Sequence, residues 1–421
     1  MRFGEPARTA RIQVRIFAMI DRILSFSVHQ RWLVMIGVLL MAVFGAWNFT
    51  RLPIDAVPDI TNVQVQINTS APGYSPLEVE QRITFPIETA MAGLPHLLNT
   101  RSLSRYGLSQ VTVVFKDGTD IYFARQLVNE RVQRIKDTLP TGIEAAMGPV
   151  STGLGEIYMY TVEAKADAKR ADGRPYGLTD LRTIQDWIIK PQLRNVAGVN
   201  EVNTIGGFEK QFHVMPDPGR LMAYRLSFRD VMTSLAVNNA NVGAGYIEKN
   251  GEQYLVRTPG QVGDIDDIKQ IVLGSRNGVP VRIMDVADVR EGRDLRTGAA
   301  THDGREVVLG TTMLLIEENG RTVAQRVAAK LKQIERSLPE GISIRAIYDR
   351  TDLIDATIAT VEKNLVEGAL LVIAVLFLIL GNLKAAFATA LVIPLSMLFT
   401  ISGMFENKVS ANLMSLGAID F

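Results

Sequence analysis

The stretch Leu365–Phe421 constrains this chain more than any other. It reads LVEGALLVIAVLFLIL, GNLK, AAFATALVIPLSMLFTISGMF, ENKVS and ANLMSLGAIDF. The second apolar run, 385–405, has 21 residues and no charge. A helix needs about 20 apolar residues to cross a bilayer core, so this run predicts a span. The first run has 16 residues with Glu367 near its start. A helix beginning near Asp352 supplies the missing length and predicts a span over 352–380. Four residues join the two, which makes them an antiparallel hairpin. A third run, 410–421, reads as the start of another span. A helix rises about 1.5 Å per residue. Asp420 would then lie about 15 Å below a surface set at Ser410, near the middle of a hydrocarbon layer about 30 Å thick. A carboxylate at that depth is costly and marks a proton or ion site facing the bundle interior. The competing reading is a surface segment with a hydrated Asp420.

Composition agrees with a chain part in membrane and part in water: 47% apolar and 21% charged over 421 residues. A net charge of +1 provides no basic field and argues against a nucleic-acid partner. The chain has no cysteine, which removes disulfides, thiolate metal sites and cysteine nucleophiles together. Because the sequence stops inside an apolar run, it is expected to be a fragment of a longer polypeptide.

Residues 1–31 carry Arg2, Arg8, Arg11, Arg15, Arg22 and Arg31 with apolar residues at helical spacing, an amphipathic interfacial segment. The uncharged run 32–49 has a tryptophan near each end, which suits the two membrane interfaces. It is too long for the core of a signal peptide and predicts the first span. The arginines place its leading end in the cytoplasm. Alternation then puts the GNLK turn in the cytoplasm and residues 50–350 outside.

That outer part alternates strands and helices. Thr61–Thr69 reads as a strand. Ser75-Pro76-Leu77-Glu78 is a capping box that opens a helix to about Ala92. Leu97–Arg105 and Val111–Lys116 read as paired strands, and a helix runs from Thr119 to about Leu139. This β-α-β-β-α order predicts a split βαβ, ferredoxin-like subdomain over 50–141. A second such unit takes 142–197 and 298–350, from a strand Ile157–Ala164, a helix Thr179–Val196, a strand Glu306–Ile316, a helix Asn319–Leu338 and a strand Ile342–Tyr348. Between its halves, 198–297 holds short strands (Gln211–Met215, Gln253–Thr258, Val279–Met284) and a helix capped at Ser227, an inserted subdomain. The predicted fold class is an α+β membrane protein.

No phosphate loop, dinucleotide fingerprint, hydrolase elbow or metalloprotease helix occurs, so an energised pump here would need an ion gradient. The four histidines, His29, His96, His213 and His302, lack ligand spacing. Met397, Met404 and Met414 read as fillers of an apolar bundle. Pro394 marks a kink within a span.

Long segments carry a family resemblance: RLPIDAVPDITNVQVQINTSAPGYSPLEVEQRITFPIE, SLSRYGLSQVTVVFKDGTDIYFARQLVNERV, GPVSTGLGEIY, NVGAGYIEKNGEQYLVR and SANLMSLGAIDF. Over roughly Met19–Phe421 the chain resembles the heavy-metal efflux transporters of the resistance–nodulation–division superfamily, cobalt–zinc–cadmium branch. The first 18 residues lack a counterpart, so Met19 is an alternative start. The resemblance implies proton-driven export of divalent heavy-metal cations, with metal ions as cargo and no cofactor, so the chain is expected not to be an enzyme. It implies two porter subdomains with a docking subdomain inserted in the second. It also implies a homotrimer in the bacterial inner membrane, working with a periplasmic membrane-fusion adaptor and an outer-membrane channel. Asp420 matches a residue of the family's proton relay; the acids that follow it there are absent here. Glu156, in GLGEI, and Asp186, on the Thr179–Val196 helix, are the candidate metal-handling acids in the cleft between porter subdomains. A copper/silver exporter and a non-transporting membrane-anchored adaptor or secretion subunit are the alternatives.

Overall fold

A computed structural model describes residues 25–52, 61–151, 153–258, 260–276, 278–296, 298–316, 318–407, 411–412 and 415. Most of the segment 1–31 and most of the expected span at 410–421, including Met414 and Asp420, therefore lie outside the described residues.

The first outer unit is built on strand alternation. In β1 (Gln64–Ser70), Val65, Ile67 and Thr69 are buried while the amides between them are not. The chain then turns at Ser75, whose hydroxyl accepts from the Glu78 amide while the Glu78 carboxylate accepts from the Ser75 amide at 2.9 Å. This satisfies orphan donors at the start of helix 76–91. The hairpin β2 (Leu97–Arg105) and β3 (Leu108–Phe115) follows, then the helix Ile121–Ile135 and the short β4 (Ala145–Met147). The sheet order is β2-β3-β1-β4, all antiparallel. Its core joins Val65, Ile67, Val113 and Phe115 to Ile83, Ile87, Met91, Ala124 and Val128 of the two helices.

The second unit opens with β5 (Glu156–Ala164), helix 178–194 and β6 (Val199–Ile205). The chain then leaves for an inserted subdomain through Gly206 and Gly207. This subdomain carries β7 (Lys210–Pro216), β8 (Val242–Lys249), β9 (Glu252–Thr258), β10 (Val272–Arg276), β11 (Val279–Arg282) and β12 (Ala287–Arg293). β7 pairs with β12, so the entering and leaving strands form one antiparallel tether. The subdomain has its own core around Leu221, Val231, Ile268, Ile283 and Val286. The expected strand Val279–Met284 is shorter than predicted. It stops at Arg282, whose amide donates to the Asp285 carboxylate at 2.8 Å and starts a helical turn. The chain returns as β13 (Ala300–His302), β14 (Arg305–Leu314), helix Gly320–Glu335 and β15 (Ile342–Asp349). In the sheet, β5 lies between β15 and β14, and β14 also pairs with β13 and β6.

Both outer units contain a helix with a π-bulge, at Glu80–Thr84 and Gln185–Ile189. Each bulge is followed by a proline, Pro86 and Pro191. Proline cannot donate the i→i−4 bond and its ring crowds the carbonyl one turn back, so the ladder slips by a residue. The bulge places Gln185 and Asp186 on the face that meets β5 and β6.

Three helices are strongly apolar. Arg31–Phe49 and Leu383–Glu406 are each long and apolar enough to cross a bilayer. Arg350–Leu380 is one continuous helix of 31 residues, with the Asp349 carboxylate accepting from the Thr351 amide at its start. It ends at Gly381 in the left-handed conformation (φ +61°), where glycine has no Cβ penalty. Asn382 then caps the next helix through the amides of Lys384 and Ala385. The GNLK turn is thus a helix stop and a helix start in four residues. Leu383–Glu406 is interrupted at Leu391, three residues before Pro394, which removes the bond that Ala390 would accept. Gly45 allows the first of these helices to touch the last closely: a Cβ there would lie 2.7 Å from Leu398 Cβ. Met397 and Met404 pack against Leu52, Ile354, Ile401 and Ala411, as fillers. Arg51 stacks on Trp47 at 4.0 Å at the end of the first helix, an amphipathic anchor.

Candidate metal-handling site

Asp186 sits in the π-bulge of helix 178–194 with both carboxylate oxygens engaged. Arg182 Nε donates to Oδ2 at 2.5 Å and Thr204 Oγ1, on β6, donates to Oδ1 at 2.7 Å. Arg182 Nη1 also donates to the Gly206 carbonyl at 2.9 Å. The neighbouring Gln185 is fully buried, and its Oε1 accepts from Tyr160 Oη at 3.1 Å. Burial pushes the Tyr160 hydroxyl well above the usual tyrosine range. Tyr160 itself is packed over Gly310 of β14, where a Cβ would come within 2.3 Å of its ring. One side of the second unit is therefore a continuous polar network from β5 through the bulge to β6, ending on an arginine–aspartate pair about three-quarters buried.

Glu156 is exposed at the first position of β5. It lies four strand residues from Tyr160, about 13 Å along the strand at ~3.3 Å per residue. The fold does not join Glu156 and Asp186 into one ligand set. Among the described residues no group of three or more His, Asp or Glu is placed to hold a metal ion.

A groove of about 810 Å³ runs between the two outer units. Its first wall is the outward face of β1 with Gln64, Gln66 and Asn68; its second includes Asn200, Glu201 and Met313. Neither Glu156 nor Asp186 is among the residues that line this groove. The reason is local: Asp186 is drawn to Arg182 and Thr204, beside a separate cavity of about 440 Å³ at the root of the inserted subdomain. Arg125 spans the groove's edge by donating to the Gly148 carbonyl at 2.7 Å. Sequence reasoning missed Glu201, Arg182 and Thr204. The signal for Arg182 was present, since Arg182 and Asp186 are spaced i,i+4 on one helix face.

The AcrB/AcrD/AcrF family model matches residues 23–421, nearly the whole chain. The chain belongs to that family. Protein HelA of Legionella pneumophila is 66% identical over 403 residues, covering 96% of this chain and 38% of that protein. The cobalt-zinc-cadmium resistance protein CzcA of Cupriavidus metallidurans is 64% identical over the same length and coverage. The cation efflux system protein CusA of Escherichia coli K12 is 38% identical, covering 95% of this chain and 38% of that protein. A crystal structure of a heavy metal efflux pump superposes with a TM-score of 0.85 at 35% identity, covering 95% of this chain and 39% of that one. The chain spans well under half the length of these relatives. Within the family it groups with the heavy-metal efflux transporters of the resistance–nodulation–division superfamily, and its identity to CzcA far exceeds that to CusA.

Proposed function

We propose that the chain forms the N-terminal portion of a proton-driven exporter of divalent heavy-metal cations of the cobalt, zinc and cadmium type. The observation that carries this reading is 64% identity to CzcA across nearly the whole chain, against 38% to CusA. The chain would sit in the bacterial inner membrane as a homotrimer, with a membrane-fusion adaptor and an outer-membrane channel as partners. Arg31–Phe49, Arg350–Leu380 and Leu383–Glu406 would be its first three spans. The two outer units would be ferredoxin-like porter subdomains, and the docking subdomain would take the expected 198–297 less β6 (Val199–Ile205), which pairs with β14 in the second unit's sheet. The copper/silver alternative is weakened by the same identities.

Asp420, outside the described residues, is the proposed proton acid. Glu156 and Asp186 are the proposed metal-handling acids: borderline cations such as zinc accept carboxylate oxygen. Glu156 offers an exposed carboxylate; Asp186 offers one already matched to a cation, Arg182. In a full-length pump, Glu156→Gln and Asp186→Asn should each lower zinc or cobalt resistance in a growth assay. Parental resistance in both would remove them from the metal route.

Topology supplies an independent check. The arginine bias before Trp32 puts the N-terminus in the cytoplasm and 50–350 in the periplasm. Reporter fusions after Lys165 and after Lys384 should read opposite sides of the membrane. Identical readings at both positions would break the hairpin assignment.

A further inference from the structure

We propose that Arg182 occupies Asp186 as a resident cation, and that an arriving divalent metal releases it toward the carboxylates that tether the inserted subdomain. This rests on the reading of Asp186 as a metal-handling acid. A metal needs the carboxylate oxygen that Arg182 Nε now holds at 2.5 Å. Two cations within a few ångströms of one carboxylate repel each other, so metal and guanidinium compete. Arg182 also holds the Gly206 carbonyl, the first residue of the crossing into the inserted subdomain. That crossing is tightly packed. Gly206 and Gly207 have φ of +82° and +65°, and added Cβ atoms would come within 2.5 Å of the Val307 carbonyl and 2.8 Å of Val308.

The released guanidinium has a destination. Arg182, Glu209, Asp294 and Arg296 line the 440 Å³ cavity beside the pair. Glu209 immediately precedes the entering strand β7 and Asp294 immediately follows the leaving strand β12, and the Asp294 amide donates to the Glu209 carbonyl at 3.0 Å. Among the described residues neither side chain is ion-paired, whereas Arg296 is committed to Glu306 and stacks on Phe208 at 5.1 Å. A guanidinium fork suits such carboxylates. Metal occupancy at Asp186 would thus free Gly206 and pull on both tether strands at once, so that the inserted subdomain responds to cargo.

The test uses the full chain in nanodiscs and zinc ion alone, measured by competition with a chromophoric chelator. Asp186→Asn should weaken zinc binding at one site, and Arg182→Gln should tighten it on the order of tenfold by removing the competitor. The chain has no cysteine, so spin labels at T233C and Q325C report the distance between inserted subdomain and second unit. Zinc should shift that distance in the parent but not in the Glu209→Gln/Asp294→Asn double variant, which keeps the resting pair and loses the destination. Weakened binding in Asp186→Asn with parental affinity in Arg182→Gln would overturn the inference and leave the metal reading standing. Zinc binding indifferent to Asp186→Asn would overturn both. Should Arg182→Gln not fold, an undiminished zinc-dependent shift in the double variant overturns the inference by itself.

Discussion

Tyr160→Ala is expected to remove about 3–5 kcal/mol from the second outer unit, the usual range for deleting a fully buried aromatic ring. Tyr160 is completely buried in the core with Ile157, Leu193, Val308 and Val327. Its ring lies over Gly310, where an added Cβ would come within 2.3 Å of it, so the ring fills space that a glycine leaves open. The deletion also leaves Gln185 Oε1 without its donor in a site sealed from water. Hydrogen exchange is a suitable readout, because it resolves one unit within a chain of several. Protection of the β5 and β14 amides should fall by roughly two to four orders of magnitude, at about 1.4 kcal/mol per tenfold. Tyr160→Phe keeps the ring and should cost only the hydrogen bond, about 1–2 kcal/mol. Equal losses in the two variants would show that ring packing over Gly310 contributes little.

Asp420→Asn carries the largest functional prediction. The substitution keeps size and polarity and removes the titrating proton. In a full-length pump it should leave a folded trimer, seen by size-exclusion chromatography and light scattering. Proton-coupled metal transport in vesicles should fall to background. Parental transport rates in the Asn variant would make Asp420 an ordinary polar residue of its helix.

Much of the fold was legible because local signals agreed with one another. The Ser75 capping box, the alternation through Val65 and Ile67, and the four-residue GNLK turn each depend on a few neighbouring residues. They appear where the sequence puts them. What escaped depends on distant partners. β4 is three residues long and becomes a strand only by pairing with Ile67–Thr69. β6 has no clean alternation because β14, a strand more than a hundred residues later, sets its register. The π-bulge at Gln185–Ile189 had a visible cause in Pro191, yet its consequence, the turning of Asp186 onto Arg182 and Thr204, needs β6 in place. For the same reason Asp186 could be named as a candidate acid but not located. Its surroundings come from the strand that leads into the inserted subdomain, which the sequence presents only as a change of composition.

The central claim is that this chain begins a proton-driven metal exporter, and zinc flux in proteoliposomes tests it most directly. The full-length protein, reconstituted in one orientation, would be given an inward or an outward pH gradient with zinc equal on both sides. The account predicts zinc accumulation whose direction reverses with the gradient and which collapses with a protonophore. Zinc movement indifferent to the gradient, or none at all from folded trimer, would contradict it.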